Sequence, residues 1–406
     1  MAVREIIDVG DTHEMAGALA EVLPARVRAP FTASFVRSAR LYDEFVHRLV
    51  FSVFRASGLA AAVGGAPGTS DEIMARAGLE PGRARVPVDW ILRRLGHRGI
   101  LERTDGAGRP RFRLHAGVPE LDPGAVREEQ QREDAAWLPS YVLAETVAQD
   151  YPAFLRGERT GEEILFSPSR LRLWVDFFSN ANPLYAVNNL VGAGAAQEWM
   201  PPTRLVIVEL GGGLGSGAAA LLEGLRREGR WPEIDEYRFT ELVPAFLRRG
   251  QHALQARFPD ASFLKFGALD MNLPFEKQGV APRSASLVYA VNTLHVARDL
   301  HFTLREIFEV LAPGGRLVVS ECIRTIPAQA IYVEFIFNLM ETFRSPVLHP
   351  TYRPNGGFLT PEQWRGAMDA TGFVEIAVLP DIAAMRARFP DFNVGAVGAT
   401  RPATRT

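Results

Sequence analysis

The sequence is poor in lysine, in cysteine and in net charge. Only Lys265 and Lys277 are lysines among 45 basic residues, and these nearly cancel 47 acidic residues to leave a net charge of −2. No global field therefore attracts the chain to nucleic acid or to an anionic membrane surface. The arginine bias, spread over the whole chain, indicates a GC-rich bacterial genome rather than a function. The single cysteine, Cys322, excludes an intrachain disulfide and a thiolate metal cluster, and no metal is expected.

Long apolar runs are also missing. The two most apolar stretches begin at Leu49 and Ala330, and Arg55 and Glu334 interrupt them before the ~18 residues that a membrane helix needs. The first residues are acidic and lack the apolar region of a signal peptide. We therefore expect a soluble, cytoplasmic protein without a membrane partner. Its 406 residues, 47% hydrophobic and 23% charged, are enough for two or three globular domains.

The chain divides into three predicted segments. Residues 1–120 contain an apolar stripe at helical spacing from Leu41 to Val53, which needs a partner surface, and then two helices and a hairpin around the D-G-x-G turn at 105–108. Residues 121–200 are predicted to be a helical linker and lid region. In residues 201–406 strands alternate with helices, which predicts an α/β fold with a doubly wound parallel sheet.

The strongest motif is VIVELGGGLGSG at residues 206–217, a strand followed by a glycine-rich turn and a helix. Gly211, Gly213 and Gly215 let the backbone turn tightly and approach a ligand, while the start of the helix offers N–H groups. Gly213, Gly215 and Ala218 also satisfy the G-x-G-x-x-A form of the dinucleotide-binding pattern. Glu209, directly before the glycines, suits a cationic amino group better than a pyrophosphate.

A second motif, LAPGGRLVVSE at 311–321, combines a Pro-Gly-Gly turn with a buried strand. Together the two motifs resemble the class I S-adenosylmethionine (SAM) methyltransferases, which have a Rossmann-like sheet. The resemblance implies SAM as cofactor, with Glu209 and the three glycines at its site. It also implies that Glu241, ending the second strand, holds the ribose hydroxyls and that Asp270, after the third, faces the adenine amino group. Asn292, at the end of the fourth strand, is included among the cofactor-binding residues.

His295 follows the fourth predicted strand of the sheet, and Glu321 ends the fifth. Ligands of open α/β sheets bind outside the carboxyl ends of the strands, so both side chains are expected at the rim of the cofactor crevice. A histidine is a natural general base near neutral pH, and a neighbouring carboxylate orients its ring. A lone histidine also serves as a structural hydrogen-bonding residue, and we favour the catalytic pair.

Residues 150–380 are similar to the C-methyltransferase domains of polyketide synthases. The similarity is carried by FTELVPAFLRRGQ, NTLHVARDL and LAPGGRLVVSE, although Val296 and Ala297 replace the family's Ala-Thr. It implies a catalytic His-Glu dyad formed by His295 and Glu321, and an acceptor site that includes Tyr185 and Asn188 or Asn189, of which we choose Asn189. A helix over 331–343 is predicted either to line an apolar acceptor pocket, through Phe335 and Met340, or to be plain core.

Residues 69–117 resemble the winged-helix dimerisation domain of small-molecule O-methyltransferases, which implies a homodimer. They contain ten arginines and six acidic residues, a mild net charge of +4, so DNA binding is the less favoured interpretation. The sequence thus predicts a SAM-dependent enzyme of specialised, polyketide-like metabolism that methylates a carbon next to a carbonyl in a small-molecule acceptor, free or bound to a carrier protein. The alternatives are an O-methyltransferase acting on a phenol or enol, and a SAM-sensing transcriptional regulator.

Overall fold

A computed structural model describes residues 7, 9–104, 109–115, 117, 120–389 and 392–403. The chain forms two compact units. Unit 1 comprises Met1–Met15, Ala33–Phe177 and Ala330–Arg344; unit 2 comprises Ala16–Thr32, Phe178–Gln329 and Ser345–Thr406. The predicted D-G-x-G turn at 105–108 and most of the N-terminal segment considered for a signal peptide, residues 1–6 and 8, lie outside the described residues.

Helices dominate the first half of the chain. In chain order the elements are α1 (Thr12–Val22), α2 (Ala25–Arg28), α3 (Ala33–Ala56), α4 (Leu59–Gly65), α5 (Ser70–Arg76), α6 (Pro81–His97), β1 (Leu101–Thr104), β2 (Arg111–Leu114), α7 (Pro123–Glu133), α8 (Leu138–Leu155), α9 (Gly161–Leu165), α10 (Leu171–Phe177) and α11 (Pro183–Trp199).

Strands and helices then alternate to the end of the chain. The elements are β3 (Leu205–Leu210), α12 (Ser216–Arg227), β4 (Ile234–Thr240), α13 (Pro244–Arg257), β5 (Leu264–Gly267), β6 (Ala285–Val291), α14 (Leu300–Val310), β7 (Leu311–Cys322), α15 (Glu334–Phe337), α16 (Glu341–Arg344), α17 (Pro361–Thr371), β8 (Val374–Leu379), α18 (Ile382–Arg388) and β9 (Val394–Thr400).

In unit 1, α3 carries the apolar stripe that the sequence predicts. Leu41, Phe45, Leu49 and Val53 are all buried, because α6, α7 and α8 of the same unit pack on this helix. The partner surface that the stripe needs is supplied within unit 1 itself. Among the described residues no single helix is long and apolar enough to cross a membrane, and only α3 with α4, bent by 71°, passes that test of length and composition as a pair.

The predicted order of helix, helix and hairpin is confirmed between residues 69 and 115. Thr69 begins α5 with a capping box, in which its side chain and that of Glu72 each accept a backbone N–H of the other residue. The hairpin of β1 and β2 is antiparallel and pairs Leu101 with Leu114. The buried ring of Phe112 fixes the hairpin to the helices of unit 1.

The single helix predicted over 331–343 is wrong. Two four-residue helices, α15 and α16, replace it within unit 1. The Glu334 side chain turns inward at this point, where its Oε2 accepts from Trp90 Nε1 at 2.8 Å and from the Ile331 backbone N–H at 3.1 Å. A buried carboxylate needs such donors, so its local hydrogen bonds compete with a continuous helix.

Unit 2 is built on a seven-stranded sheet in the order β5-β4-β3-β6-β7-β9-β8. Strands β3 to β7 are parallel, and β8 and β9 add antiparallel pairs at one side. This confirms the doubly wound Rossmann-like fold. Strand order reverses between the neighbouring strands β3 and β6, which is where such sheets open a ligand crevice.

The two units divide the chain at positions other than the three predicted segments. Residues 121–177 belong to unit 1, because α7 and α8 pack on α3, whereas α11 belongs to unit 2 and packs on β7, β9 and α12.

Candidate functional site

The glycine turn after β3 lies at the switch point of the sheet. Gly211, Gly213 and Gly215 all have positive φ angles, of +60°, +57° and +87°. A Cβ on Gly211 would lie 2.1 Å from Thr293 Oγ1, whereas a Cβ on Gly213 would meet no atom within 4 Å. The turn thus contacts the segment after β6 on one side and leaves space on the other for a ligand to approach the backbone.

Glu241, after β4, is bound to this turn. Its Oε2 accepts from the Gly213 N–H at 2.9 Å and its Oε1 from the Val243 N–H at 2.8 Å, and the side chain is buried. Burial raises the pKa of the carboxyl, while the N–H groups of Val243 and Gly213 act in the opposite direction. The two carboxylate oxygens have about four lone-pair sites between them, so the group still has capacity to accept from a ribose hydroxyl.

Glu209, the last residue but one of β3, is 1% exposed, and its Oε2 accepts from the Tyr237 hydroxyl at 3.1 Å. Burial raises the pKa of Glu209 to about 8; the Tyr237 hydroxyl opposes the shift, the charge of Glu241 adds to it, and the Ala218 N–H opposes it. Sequence analysis missed Tyr237, which lies on β4 with no motif to mark it.

Asn189 brings a second acceptor beside Glu209. A Cβ on Gly217 would lie 3.1 Å from Glu209 Oε1 and 3.6 Å from Asn189 Oδ1, so the two oxygens converge at the start of α12. Asn189 is fully buried, its Nδ2 donates to Asn180 Oδ1, and its Oδ1 has no hydrogen-bond partner among the described residues. Such a buried, unpaired acceptor is costly in a folded chain and points to a donor supplied by a ligand.

Asp270 and Asn292 are held by local hydrogen bonds. Asp270 Oδ1 accepts from the backbone and side-chain N–H groups of Asn272 at 2.9 and 3.0 Å, in the loop after β5. Asn292 adopts a positive φ of +47° after β6, and its Oδ1 accepts from the Cys322 N–H at 3.2 Å. Both half-buried residues therefore lie at the carboxyl ends of their strands, as predicted.

His295 and Glu321 are in direct contact. His295 Nδ1 lies 2.7 Å from Glu321 Oε2, and the two side chains are only 4% and 1% exposed. Glu321 Oε1 accepts from the N–H groups of Thr293, Leu294 and His295 at 2.9 to 3.3 Å. The carboxylate therefore fixes both the imidazole and the short 3-10 turn that carries it.

Phe358 contacts the other side of the histidine. Its ring centroid lies 4.4 Å from that of the imidazole, at an interplanar angle of 42°. No sequence pattern predicts this contact, because Phe358 comes from an irregular segment 63 residues further along the chain.

The predicted acceptor residues fall in different units. Tyr185 is in unit 2, on α11; burial and the nearby charges of Glu209, Glu241 and Glu321 raise the pKa of its hydroxyl. Phe335 and Met340 are in unit 1, where the fully buried Phe335 ring stacks on that of Tyr151 with centroids 4.9 Å apart. Within unit 1, Phe335 is thus part of the core.

Comparisons with known proteins identify a methyltransferase domain in this chain. A family model described as a methyltransferase domain matches residues 208–317, from the glycine turn to β7. The polyketide synthase ThaG of Burkholderia thailandensis is 28% identical over 320 residues, which cover 76% of this chain. That alignment covers 5% of ThaG, so this chain corresponds to a small part of the synthase.

Two solved structures share the fold over almost the whole chain. The CurJ carbon methyltransferase has a TM-score of 0.73 at 22% identity, with 97% of this chain and 99% of that chain covered. The CMeT domain of the citrinin polyketide synthase has a TM-score of 0.72 at 19% identity, with 97% and 96% covered.

The residues present fit SAM. The open glycine turn, the buried acceptor Asn189 Oδ1 and the carboxyls of Glu209 and Glu241 suit a ligand with a cationic amino group and hydroxyls. The chain therefore carries a methyltransferase domain that uses SAM, and it is similar in sequence to part of a polyketide synthase.

Proposed function

We propose that this SAM-dependent methyltransferase transfers a methyl group to an acidic carbon next to a carbonyl, with His295 as the general base and Glu321 as the residue that orients it. The observation that carries the proposal is the buried contact of 2.7 Å between His295 Nδ1 and Glu321 Oε2. With Nδ1 engaged by the carboxylate, Nε2 is the atom that takes the proton from the acceptor.

His295 and Glu321 have different roles in the deprotonation of the acceptor. When bound, SAM supplies an electrophilic methyl group on a sulfonium. His295 Nε2 accepts the proton from the acceptor carbon, whose C–H electron pair remains on the carbon as a carbanion or enolate. Glu321 then faces an imidazolium and offsets its charge across the Nδ1 contact. Because four hydrogen bonds already fix its two oxygens, Glu321 does not need to reorganise during the step.

The cofactor and the acceptor are assigned to neighbouring groups of unit 2. We place the SAM amino group at Glu209, the ribose at Glu241 and the adenine near Asp270, with Asn292 and the glycine turn at the same strand ends. We assign Asn189 to the SAM amino group instead of the predicted acceptor site, because its unpaired Oδ1 converges with Glu209 Oε1 beside Gly217. Tyr185 is assigned to the acceptor, because Glu209, Glu241 and Glu321 all lie near enough for their charges to raise the pKa of its hydroxyl. Phe335 and Met340 remain predicted acceptor residues.

The proposed acceptor is a 3-oxoacyl thioester, because a carbon between two carbonyl groups is acidic enough for a histidine base. The similarity to the polyketide synthase ThaG supports this class. The same chemistry applies to a thioester that is free or bound to a carrier protein.

Hydrogen exchange tests the base directly. A 3-oxoacyl N-acetylcysteamine thioester is incubated in deuterated buffer with the protein and a SAM analogue that has no transferable methyl, and α-deuterium is followed by NMR above the uncatalysed rate. Wild type should accelerate exchange, His295→Ala should not, and Glu321→Gln should lose ~100-fold or more. The exposed control Glu276→Gln should match wild type. Full exchange by His295→Ala would refute His295 as the base.

A further inference from the structure

The turn that carries His295 is held from two sides by opposite charges. Its N–H groups, from residues 293–295, all donate to Glu321 Oε1. Its carbonyl groups face Arg353, whose Nη2 donates to the His295 oxygen and whose Nη1 donates to the Ala297 oxygen, both at 2.7 Å. An anion thus binds the donors of the turn while a cation binds its acceptors.

Arg353 is an unusual residue to find in this position. Its relative exposure is 1%, and a buried guanidinium is costly unless its N–H groups are paired. Burial lowers the pKa of Arg353 to about 10, with the charges of Asp299 and Glu321 acting against that shift, so the side chain is still a cation at neutral pH. Among the described residues, both hydrogen bonds of its side chain go to the backbone of the His295 turn.

Arg353 and Phe358, which both contact His295, lie on a single segment of unit 2. Backbone hydrogen bonds of 2.9 and 3.0 Å between His349 and Arg353 fix the start of this segment. Phe358, five residues later, places its ring against the imidazole. Within the 3-10 turn at Leu294–Val296, the internal hydrogen bonds run from Val296 to Thr293 and from Ala297 to Leu294. Such a short turn depends for its position on contacts with Glu321, Arg353 and Phe358.

We propose that Arg353 is a positioning residue for His295: it fixes the carbonyl side of the 293–297 turn so that the imidazole keeps its contact with Glu321. This inference rests on the proposed function of His295 as the base. Arg353 does not contact the acceptor in this role. It acts through the turn, where a displacement of ~1 Å is enough to cost ~100-fold in rate.

Arg401 offers a matched control. It is also a buried guanidinium of unit 2, 5% exposed, and its Nη1 donates to the carbonyls of Phe308, Glu309 and Leu311 at 2.6 to 3.0 Å. These carbonyls lie at the amino end of β7, away from His295 at the carboxyl ends of the strands. Arg401→Met therefore removes a similar buried cation without touching the His295 turn.

The test is proton NMR of the full chain without added ligand. The low-field proton of the His295–Glu321 contact is assigned by its absence in His295→Ala and compared between Arg353→Met and Arg401→Met. We expect Arg353→Met to lose or broaden this resonance and Arg401→Met to keep it, even where both variants melt at lower temperature. Arg353→Lys keeps a cation that cannot bridge two carbonyls, and we expect it to lose the resonance too.

Turnover of the 3-oxoacyl thioester gives the second readout. For Arg353→Met we expect a fall of ~100-fold in kcat with KM for SAM unchanged, and for Arg401→Met no change in kcat. A sharp resonance and full kcat in Arg353→Met, or full recovery of both in Arg353→Lys, would overturn the inference. Full turnover by His295→Ala would instead overturn the proposed function, so the two failures are distinguishable.

Discussion

At the scale of single residues, Glu209 makes cofactor binding depend on pH. Burial raises the pKa of this carboxyl to about 8, so it is largely neutral at pH 7 in the protein without cofactor. The cationic amino group binds the carboxylate form. The affinity for SAM should therefore rise with pH below ~8, by up to about tenfold per unit, and fall above it, because the cofactor's own α-amino group, with a pKa of ~7.7–8.0, then loses its proton.

Calorimetric titration of SAM between pH ~6 and ~9 measures this profile. Glu209→Gln should bind more weakly and without the rise below pH ~8, whereas Glu276→Gln, an exposed change in the same unit, should keep the wild-type rise. The free energy of unfolding should change in the opposite direction and fall as the pH rises from ~4.5 to ~8. In that range the folded chain keeps a proton on Glu209 that the unfolded chain has already released. A SAM affinity that does not change over this range would contradict the role given to Glu209.

The sequence predicted some of these residues and not others. His295 and Glu321 could be paired in advance because parallel strands place their carboxyl ends along one edge of the sheet. Tyr237, Arg353 and Phe358 could not, since nothing in their spacing marks a contact with Glu209 or His295. Their positions depend on how an interior β4 residue and the irregular 345–359 segment pack in three dimensions.

At the scale of elements, substitutions in the turn between β3 and α12 should weaken cofactor binding while changing the stability of the chain little. Gly213 has open space beside it, so a side chain there occupies the region that the cofactor needs rather than the core. We expect Gly213→Arg to weaken SAM binding by ~100-fold or more. Gly229→Arg is the matched control, since Gly229 also has a positive φ, of +70°, and open space.

Calorimetric titration and thermal melting of the two glycine variants separate the effects. Both should lower the melting temperature by a similar, small amount, because each puts a side chain at a left-handed position. Wild-type affinity for SAM in Gly213→Arg would show that the turn does not hold the cofactor.

The stripe on α3 should stabilise unit 1 rather than join two chains. Phe45 is fully buried in contact with Tyr141, with ring centroids 4.3 Å apart. Phe45→Ala should lower the free energy of unfolding by about 3–5 kcal/mol, whereas the exposed Phe166→Ala should cost much less. Urea unfolding at two protein concentrations measures both, and a Phe45 effect that grows on dilution would indicate an interface instead.

The observed helices and strands matched the predictions from the sequence where hydrophobic periodicity and turn residues agreed. Strands β3 to β9 and helices α12, α13, α14 and α17 were predictable for that reason, as were the two helices and the hairpin of residues 70–114. Helix α18 was not predicted. The prediction for residues 331–343 was wrong because their apolar side chains suggested one helix. The inward turn of Glu334 toward Trp90 depends on a partner 244 residues away in the sequence.

At the scale of the whole molecule, the arginines between residues 69 and 117 do not present an unpaired positive surface among the described residues. Arg85 and Arg109 contact Asp71, Arg111 contacts Glu72, and Arg113 contacts Glu102. The net charge of +4 already counts these carboxylates. Asp43 and Glu44, outside the segment, pair with Arg94 and Arg98 and offset part of the remaining excess, which argues against the DNA-binding alternative. The homodimer remains a prediction, and with the α3 stripe covered within unit 1 it would have to use another surface.

The most direct test of carbon methylation is the carbon NMR spectrum of the product. The full chain is incubated with SAM carrying a ¹³C-labelled methyl group and the 3-oxoacyl N-acetylcysteamine thioester, and the new methyl signal is assigned by its one-bond carbon coupling in an acceptor labelled with ¹³C at the α-position. We expect a methyl group bonded to the α-carbon, formed by wild type and not by His295→Ala. A methoxy signal without carbon coupling would contradict carbon methylation and identify an oxygen as the acceptor atom.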